Sequence, residues 1–178
     1  MRKIKLYIAT SIDGFIARAN GDLDWLTEFP NPQKTDYGYL EFVQTIDTVI
    51  MGGRTYDSIL SMDTQWPYGD KECYIITRNY LRNPPGHSIE QISDNVIEQI
   101  KELKVKQGKD IWLIGGSEII SLLMNNNLID EMIITYIPVI LGSGICMFSN
   151  INQEINWKAF NSVLFDNGTS QITYILMS

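Results

Sequence analysis

Apolar positions along the chain fall into short continuous runs that stop at glycine and give way at once to helical spacing. The clearest is Asp110-Ile-Trp-Leu-Ile-Gly-Gly-Ser-Glu-Ile119, a buried strand ended by Gly115-Gly116 and followed without a spacer by a helix through Met124. Thr48-Val-Ile-Met51, Gly52-Gly53 and the helical stretch 54–60 repeat that unit. Residues 4–9 read as a first strand, with an Asp13-Gly14 turn and a short apolar piece, 15–17, after it. Residues 72–77 form another strand, and 93–107 an amphipathic helix with Val96, Ile97, Ile100 and Leu103 on one face and Gly108 as its stop. An irregular connection rich in Pro and Asn precedes helical spacing over 36–45, with Thr35 as a candidate cap. Segments 61–71 and 142–156 read as surface loops.

Strands alternating with helices require parallel pairing, right-handed crossovers and helices on both faces of the sheet. After residue 130 the pattern changes: 131–139, 157–165 and 171–177 are strand-like with no helix between them, and Asp166-Asn-Gly168 is a hairpin turn. The chain therefore predicts one α/β domain over 1–178, with a mostly parallel central sheet and antiparallel C-terminal strands. An exposed antiparallel edge carrying Ile172, Tyr174 and Ile175 offers a surface for a homodimer.

Charge narrows the function classes. A formal net charge of -7 and a pI near 4.6 argue against an extended nucleic-acid or anionic-membrane surface, so an anionic ligand must meet local positive charge. Cys73, Cys146 and a single His have no metal-ligand spacing, which predicts no metal site and a reduced, cytoplasmic protein. The opening apolar run imitates a signal peptide but is broken by Thr10, Ser11 and Asp13, and no run is long enough to cross a bilayer.

The strand-ending glycines carry the first chemistry. Glycine lets backbone approach a ligand, and the N–H groups of the next helix favour an anion. The spacing is not Gly-x-Gly-x-x-Gly, and a tight turn explains the same residues equally well. Further segments bear on the choice, in order: Ile8-Ala-Thr-Ser-Ile-Asp-Gly-Phe-Ile-Ala17, Met51-Gly-Gly-Arg-Thr-Tyr56, Ile76-Thr-Arg-Asn79, Ile114-Gly-Gly116 and Asp130-Glu-Met-Ile-Ile-Thr-Tyr-Ile137. Together they resemble the dihydrofolate reductase superfamily over residues 4–148. The 11–17 segment and the Gly-x-x-Thr-Tyr turn resemble its riboflavin-biosynthesis reductase (RibD C-terminal-like) branch.

The resemblance implies a dihydrofolate reductase-like three-layer fold and an NADPH-dependent reductase acting on a small pterin- or aminopyrimidine-like substrate. Gly115 and Gly116, joined in that family by a cis peptide, would form the diphosphate turn, with Ile114 before it and Ser117 and Glu118 opening the helix. Gly52, Gly53, Arg54 and Thr55 would bring a second helix N-terminus to the phosphates, and Thr77 and Arg78 would flank the adenosine end. Many relatives carry arginine where this chain has Gly53, which keeps NADH open as the coenzyme. Ala9 and Ile16 would line the nicotinamide, although core packing accounts for such residues as well. Asp36, supported by Thr135, coincides with the acid that grips the pterin ring. A simple helix-cap role is its competing account, and Asp24 is an alternative acid. Trp25, Leu40 and Ile59 would line the substrate cleft, and Gly142-Ser-Gly144 resembles the glycine turn near the coenzyme. The arginine-rich segment that holds a ribose phosphate in the riboflavin branch is not found. A true dihydrofolate reductase and a nucleotide-binding module without turnover are the alternatives.

Overall fold

The computed structural model of the chain describes residues 1–62 and 65–177. Strands β1 (Ile4–Ser11) and β2 (Phe15–Ala17) lead into helices α1 (Asp24–Thr27) and α2 (Tyr39–Gln44). Next come β3 (Ile46–Gly52), α3 (Gly53–Ser61), β4 (Glu72–Ile76), β5 (Glu90–Ile92), α4 (Val96–Val105), β6 (Asp110–Gly115) and α5 (Ser117–Met124). The last described elements are β7 (Glu131–Ile137), β8 (Ile145–Cys146), β9 (Trp157–Leu164) and β10 (Ser170–Leu176).

Eight strands form one sheet in the order β5-β4-β3-β6-β1-β7-β10-β9. The first six are parallel and the last two antiparallel, the mixed architecture that the apolar pattern predicts. Continuous apolar runs mark strands covered on both faces. In β3 and β6, Ile50, Ile111 and Leu113 point to one side, where α4 and α5 add Ile100, Leu103, Ile120 and Leu123. Val49, Met51 and Trp112 point to the other, where α2 contributes Phe42 and α3 contributes Tyr56. Tyr7 stacks on Phe42 at 4.5 Å between ring centres, and Phe42 meets Trp112 edge-on at 5.4 Å.

The amino-terminal ends of the strands are tied by buried charges. Arg2, 6% exposed, pairs with Asp47, and Lys104, 7% exposed, donates to Asp130 at 2.6 Å and to the Leu128 carbonyl. A buried charge is tolerated only when paired and hydrogen-bonded, and these are. Among the described residues, the opposite, carboxyl ends carry no such buried pair.

Several boundaries differ from the sequence reading. The helix expected over 36–45 begins at Tyr39, because Lys34, Tyr37 and Gly38 have positive φ and turn the chain first. Thr35 does not cap it; Asp36 accepts the N–H groups of Gly38 and Leu40 instead, each at 3.0 Å. The 93–107 helix occupies only Val96–Val105, the apolar piece at 15–17 forms β2, and β5, β8 and α1 are short elements that carry no run of their own. The edge residues also shift: β9 is outermost, and Ile172, Tyr174 and Ile175 lie on β10, half-buried between β7 and β9. No helix among the described residues is long and apolar enough to cross a membrane.

β2 pairs with β8 as a two-stranded ribbon over the carboxyl end of β1. Asp13 locks the ribbon: its carboxylate accepts the Ser11 hydroxyl at 2.6 Å and the N–H groups of Leu141 and Gly142 at 3.1 and 2.7 Å. Gly144 is required there, since a Cβ would lie 2.3 Å from the Ala17 carbonyl oxygen.

Leu113 is fully buried, so Leu113→Ala should lower unfolding free energy by about 2–5 kcal/mol with an unchanged urea m value. Leu164→Ala, at a side chain 77% exposed, should stay within about 0.5 kcal/mol of the parent. The Ser11 hydroxyl, then the Gly142 and Leu141 amides, hold the Asp13 carboxyl below its ordinary value of 3.8. A depressed folded value means that the tie is intact above 3.8 and lost as pH falls through the lower folded value. Asp13→Ala should therefore speed amide exchange at Leu141 and Gly142 at neutral pH. Equal protection in parent and variant would exclude the tie.

Candidate functional site

The carboxyl ends of β1, β3, β4, β5 and β6 floor a cleft of about 1400 Å³. In an open α/β sheet that is where ligands sit, because helices begin there and present unpaired N–H groups. Two such helices meet at this floor. α3 starts after Gly52 and α5 after Gly116, and neither has a side-chain cap. A Cβ on Gly52 would lie 3.7 Å from the Gly116 nitrogen and 3.0 Å from Ile119, so the two N-termini are nearly in contact. Gly53 is held as closely: its Cβ would fall 2.8 Å from the Thr77 hydroxyl oxygen. The Gly115-Gly116 peptide is cis.

Most of the residues proposed from sequence for the coenzyme line this cleft: Ala9 and Ile16, then Gly52 to Thr55, Thr77 and Arg78, and Ile114 with Gly116 to Glu118. Gly115 is buried one step behind its surface. Two side chains have partners that sequence did not suggest. Arg54 pairs with Glu118 at 3.3 Å across the two helix starts, with both groups largely exposed. The Ser117 hydroxyl lies within hydrogen-bond distance of the Cys146 carbonyl and, at 2.8 Å, of the Ser149 hydroxyl, which engages its single proton and ties α5 to the 145–149 segment. Gly144 lines the same cleft.

A second cavity of about 220 Å³ opens beside the first, and the two share Ala9 and Leu26. Tyr7 and Ala9 of β1 and Thr135 and Ile137 of β7 form its sheet side; Leu26 of α1 and Asp36, Tyr37 and Tyr39 close it. Tyr7 donates to the Tyr37 carbonyl at 3.0 Å, and Gln171 of β10 donates to that carbonyl and to the Thr135 hydroxyl at 3.0 and 2.9 Å. Burial pushes the Tyr7 hydroxyl up to about 12, so it stays protonated.

Asp36 and Thr135 do reach one cavity, yet the expected support between them is absent. Thr135 is held by Gln171, and the Asp36 carboxylate by backbone N–H groups, first Leu40 and then Gly38. Those donors lower the Asp36 pKa rather than raise it, so the carboxylate is charged at neutral pH. Leu40, 64% exposed, lines neither cavity. Trp25 is buried and lines neither, and its indole N–H has no partner among the described residues; its neighbour Leu26 takes the lining position. Ile59 lies in the large cleft and not in the smaller cavity. Asp24 is occupied by Arg18 at 2.6 Å. Tyr37, Tyr39 and Gln171 escaped the sequence reading because only the folding of distant segments brings them together.

Comparison with known proteins agrees with this fold. A Bacillus subtilis (strain 168) protein of uncharacterised function, YwjB, is 42% identical over 153 residues, spanning 86% of each chain. The crystal structure of a putative riboflavin biosynthesis protein from Shewanella sp. PV-4 superimposes with a TM-score of 0.89 at 31% identity over 99% of both chains. A dihydrofolate reductase from Enterococcus faecalis, complexed with NADP(H) and RAB-propyl, shares the fold at a TM-score of 0.70 and 18% identity, covering 99% of this chain and 97% of its own. The family model described as the RibD C-terminal domain matches residues 2–170, and the chain belongs to that family.

Proposed function

We propose that this protein is an NADPH-dependent reductase of the riboflavin-biosynthesis type, acting on an aminopyrimidine- or pterin-like ring. One observation carries the reading: two uncapped helix N-termini meet at glycines on the floor of a long cleft, and that cleft opens at Ala9 and Leu26 onto a ring-sized pocket. A nicotinamide coenzyme fits this donor set. Side chains at Gly52, Gly53 or Gly116 would crowd the cradle, and the exposed first-turn N–H groups suit a diphosphate. When bound, the coenzyme supplies a hydride.

The chain's own residues supply position and charge. Arg54, paired with Glu118, and Arg78 are the cationic side chains of the cleft, and since Asp57 lines it too, the helix-start N–H groups carry the larger share of the attraction for a polyanion. Ala9 is small enough for two flat rings to approach over β1, and Leu26 covers the junction against water. Asp36, ionised, accepts hydrogen bonds from an amino-bearing ring edge; each of its oxygens keeps a lone pair beyond its backbone donor. Thr135, already accepting from Gln171, has its own O–H to donate.

Titration with NADPH should quench the protein's Trp and Tyr fluorescence, and Arg78→Ala should weaken NADPH about tenfold while changing NADH less. A parent protein that binds neither nucleotide would end the proposal. The pH dependence has a definite sign. Asp36 titrates below 3.8 and is charged at every higher pH, so kcat/KM for a ring substrate should stay level from neutrality down through 5 and fall only as pH passes the depressed value. A break near pH 6 in initial-rate assays would assign the essential group elsewhere.

A further inference from the structure

The apolar pattern of α5 is interrupted at every fourth residue. Ile120, Leu123 and Met124 face the core, whereas Ser117, Ser121 and the flanking Asn125 form a polar stripe along one side. Ser117 and Ser121 are 7% and 3% exposed, and a buried hydroxyl is unfavourable unless it is hydrogen-bonded. Alanine would be the better helix former at either position, so the hydroxyls need a partner outside the helix.

That partner is the 145–153 segment, along its length. The Ser117 hydroxyl reaches the Cys146 carbonyl; a carbonyl only accepts, so the one proton of Ser117 goes there, and the Ser149 hydroxyl lies 2.8 Å from the same oxygen. Ser121 accepts the Asn150 N–H at 3.4 Å. Asn125 donates to the Asn150 carbonyl at 2.8 Å and accepts the Asn152 N–H at 3.0 Å. A serine near a helix start ordinarily turns its oxygen back to the first-turn N–H groups. α5 has no side-chain cap, so those groups stay open to the cleft while the Ser117 hydroxyl reaches across to another segment.

The segment is a wall of the long cleft, lined by Gly144, Ile145, Cys146, Ser149 and Asn150. It also carries β2: Cys146 and Ile145 pair with Phe15 and Ala17, and the Met147 N–H donates to the Gly14 carbonyl at 2.9 Å. Ile16, between the two paired residues, lines the cleft as well. One residue of α5 therefore touches both parts of the cleft. The Ser117 backbone N–H belongs to the helix start after Gly116, and its side chain fixes the wall that bears Ile16.

Resting on the reductase reading, in which the diphosphate seats on the α5 start and the nicotinamide lies against Ala9 and Ile16, we infer that Ser117 is a positioning residue: its hydroxyl sets the distance between the two seats, so that both halves of the coenzyme are gauged from one helix. It touches no reacting atom. The diphosphate needs only backbone donors, which an alanine at 117 leaves in place, whereas the nicotinamide needs the wall. Removing the hydroxyl thus separates two contributions that would fall together if Ser117 gripped phosphate directly or merely held the fold.

The test compares NADPH with 2′-phospho-ADP-ribose, the same molecule without its nicotinamide, by titration calorimetry on the full-length protein. Ser117→Ala should weaken NADPH about tenfold and leave 2′-phospho-ADP-ribose within about twofold, and Ser117→Thr, which keeps the hydroxyl, should recover most of the difference. Without any ligand, Ser117→Ala should speed amide exchange at Met147, whereas Asn125→Ala, which frees only the far end of the segment, should leave NADPH affinity and Met147 exchange as in the parent. Circular dichroism verifies folding; Ser149→Ala, which removes the second partner and leaves α5 intact, should shift the two ligands in the same unequal way and serves if Ser117→Ala does not fold. Equal weakening of both ligands, weakening of neither, or unchanged exchange at Met147 overturns the positioning role and leaves the reductase reading standing. An equal loss of NADPH affinity in Asn125→Ala overturns it too, as does a parent that binds the two ligands equally well. A parent that binds neither ligand overturns both readings.

Discussion

The long cleft depends on one contact, at Gly52 and Gly116, where two helix starts without side-chain caps leave their backbone N–H groups side by side. β3 and β6 are adjacent parallel strands, so the helices that follow them start side by side. Both starts lack side-chain caps, which leaves their dipoles and first-turn donors directed at one place. A Cβ at Gly52 would press on the Ile119 side chain at 3.0 Å and one at Gly116 on the Thr55 hydroxyl at 3.2 Å, so either neighbour would have to give way by a few tenths of an ångström.

The buried ion pairs and the candidate site occupy opposite ends of the sheet. Paired buried charges at Arg2–Asp47 and Lys104–Asp130 close the amino ends. Breaking such a pair strands a charge in low dielectric, so these residues hold register and have no freedom to act on a ligand. The carboxyl ends are covered instead by the β2–β8 ribbon, α1 and the 30–39 turn, short elements held by Asp13, Arg18–Asp24 and backbone donors. Their ties are hydrogen bonds and a half-exposed ion pair, in contrast to the buried cations of the amino ends.

The ring pocket lies where those covering segments meet β1, β7 and β10. Its polar groups are partly committed to one another: Tyr7 and Gln171 both donate to Tyr37, and Gln171 also orients Thr135. That network fixes an aromatic wall and leaves Asp36 as the one charge facing the cavity. The cleft beside it, whose charged lining is Arg54, Asp57, Arg78 and Glu118, shares Ala9 and Leu26 with it.

Local pattern alone determined the parallel core, the antiparallel C-terminal strands and the glycine turns, because runs such as 48–51 and 111–114 encode burial on both faces and Gly-Gly interrupts them without ambiguity. Most of the residues it nominated for the coenzyme also line the long cleft, since consecutive residues at a strand end necessarily share a location. Tertiary structure alone decided the ring pocket. Leu26 rather than Trp25, Gln171 rather than Asp36 as the partner of Thr135, and the outward Leu40 each depend on how positive-φ turns at Lys34, Tyr37 and Gly38 lay the 30–40 segment against strands a hundred residues away. The physical reason is range: hydrophobic period and turn chemistry act over a few residues, whereas side-chain partnership across a sheet depends on register and packing that no local window contains.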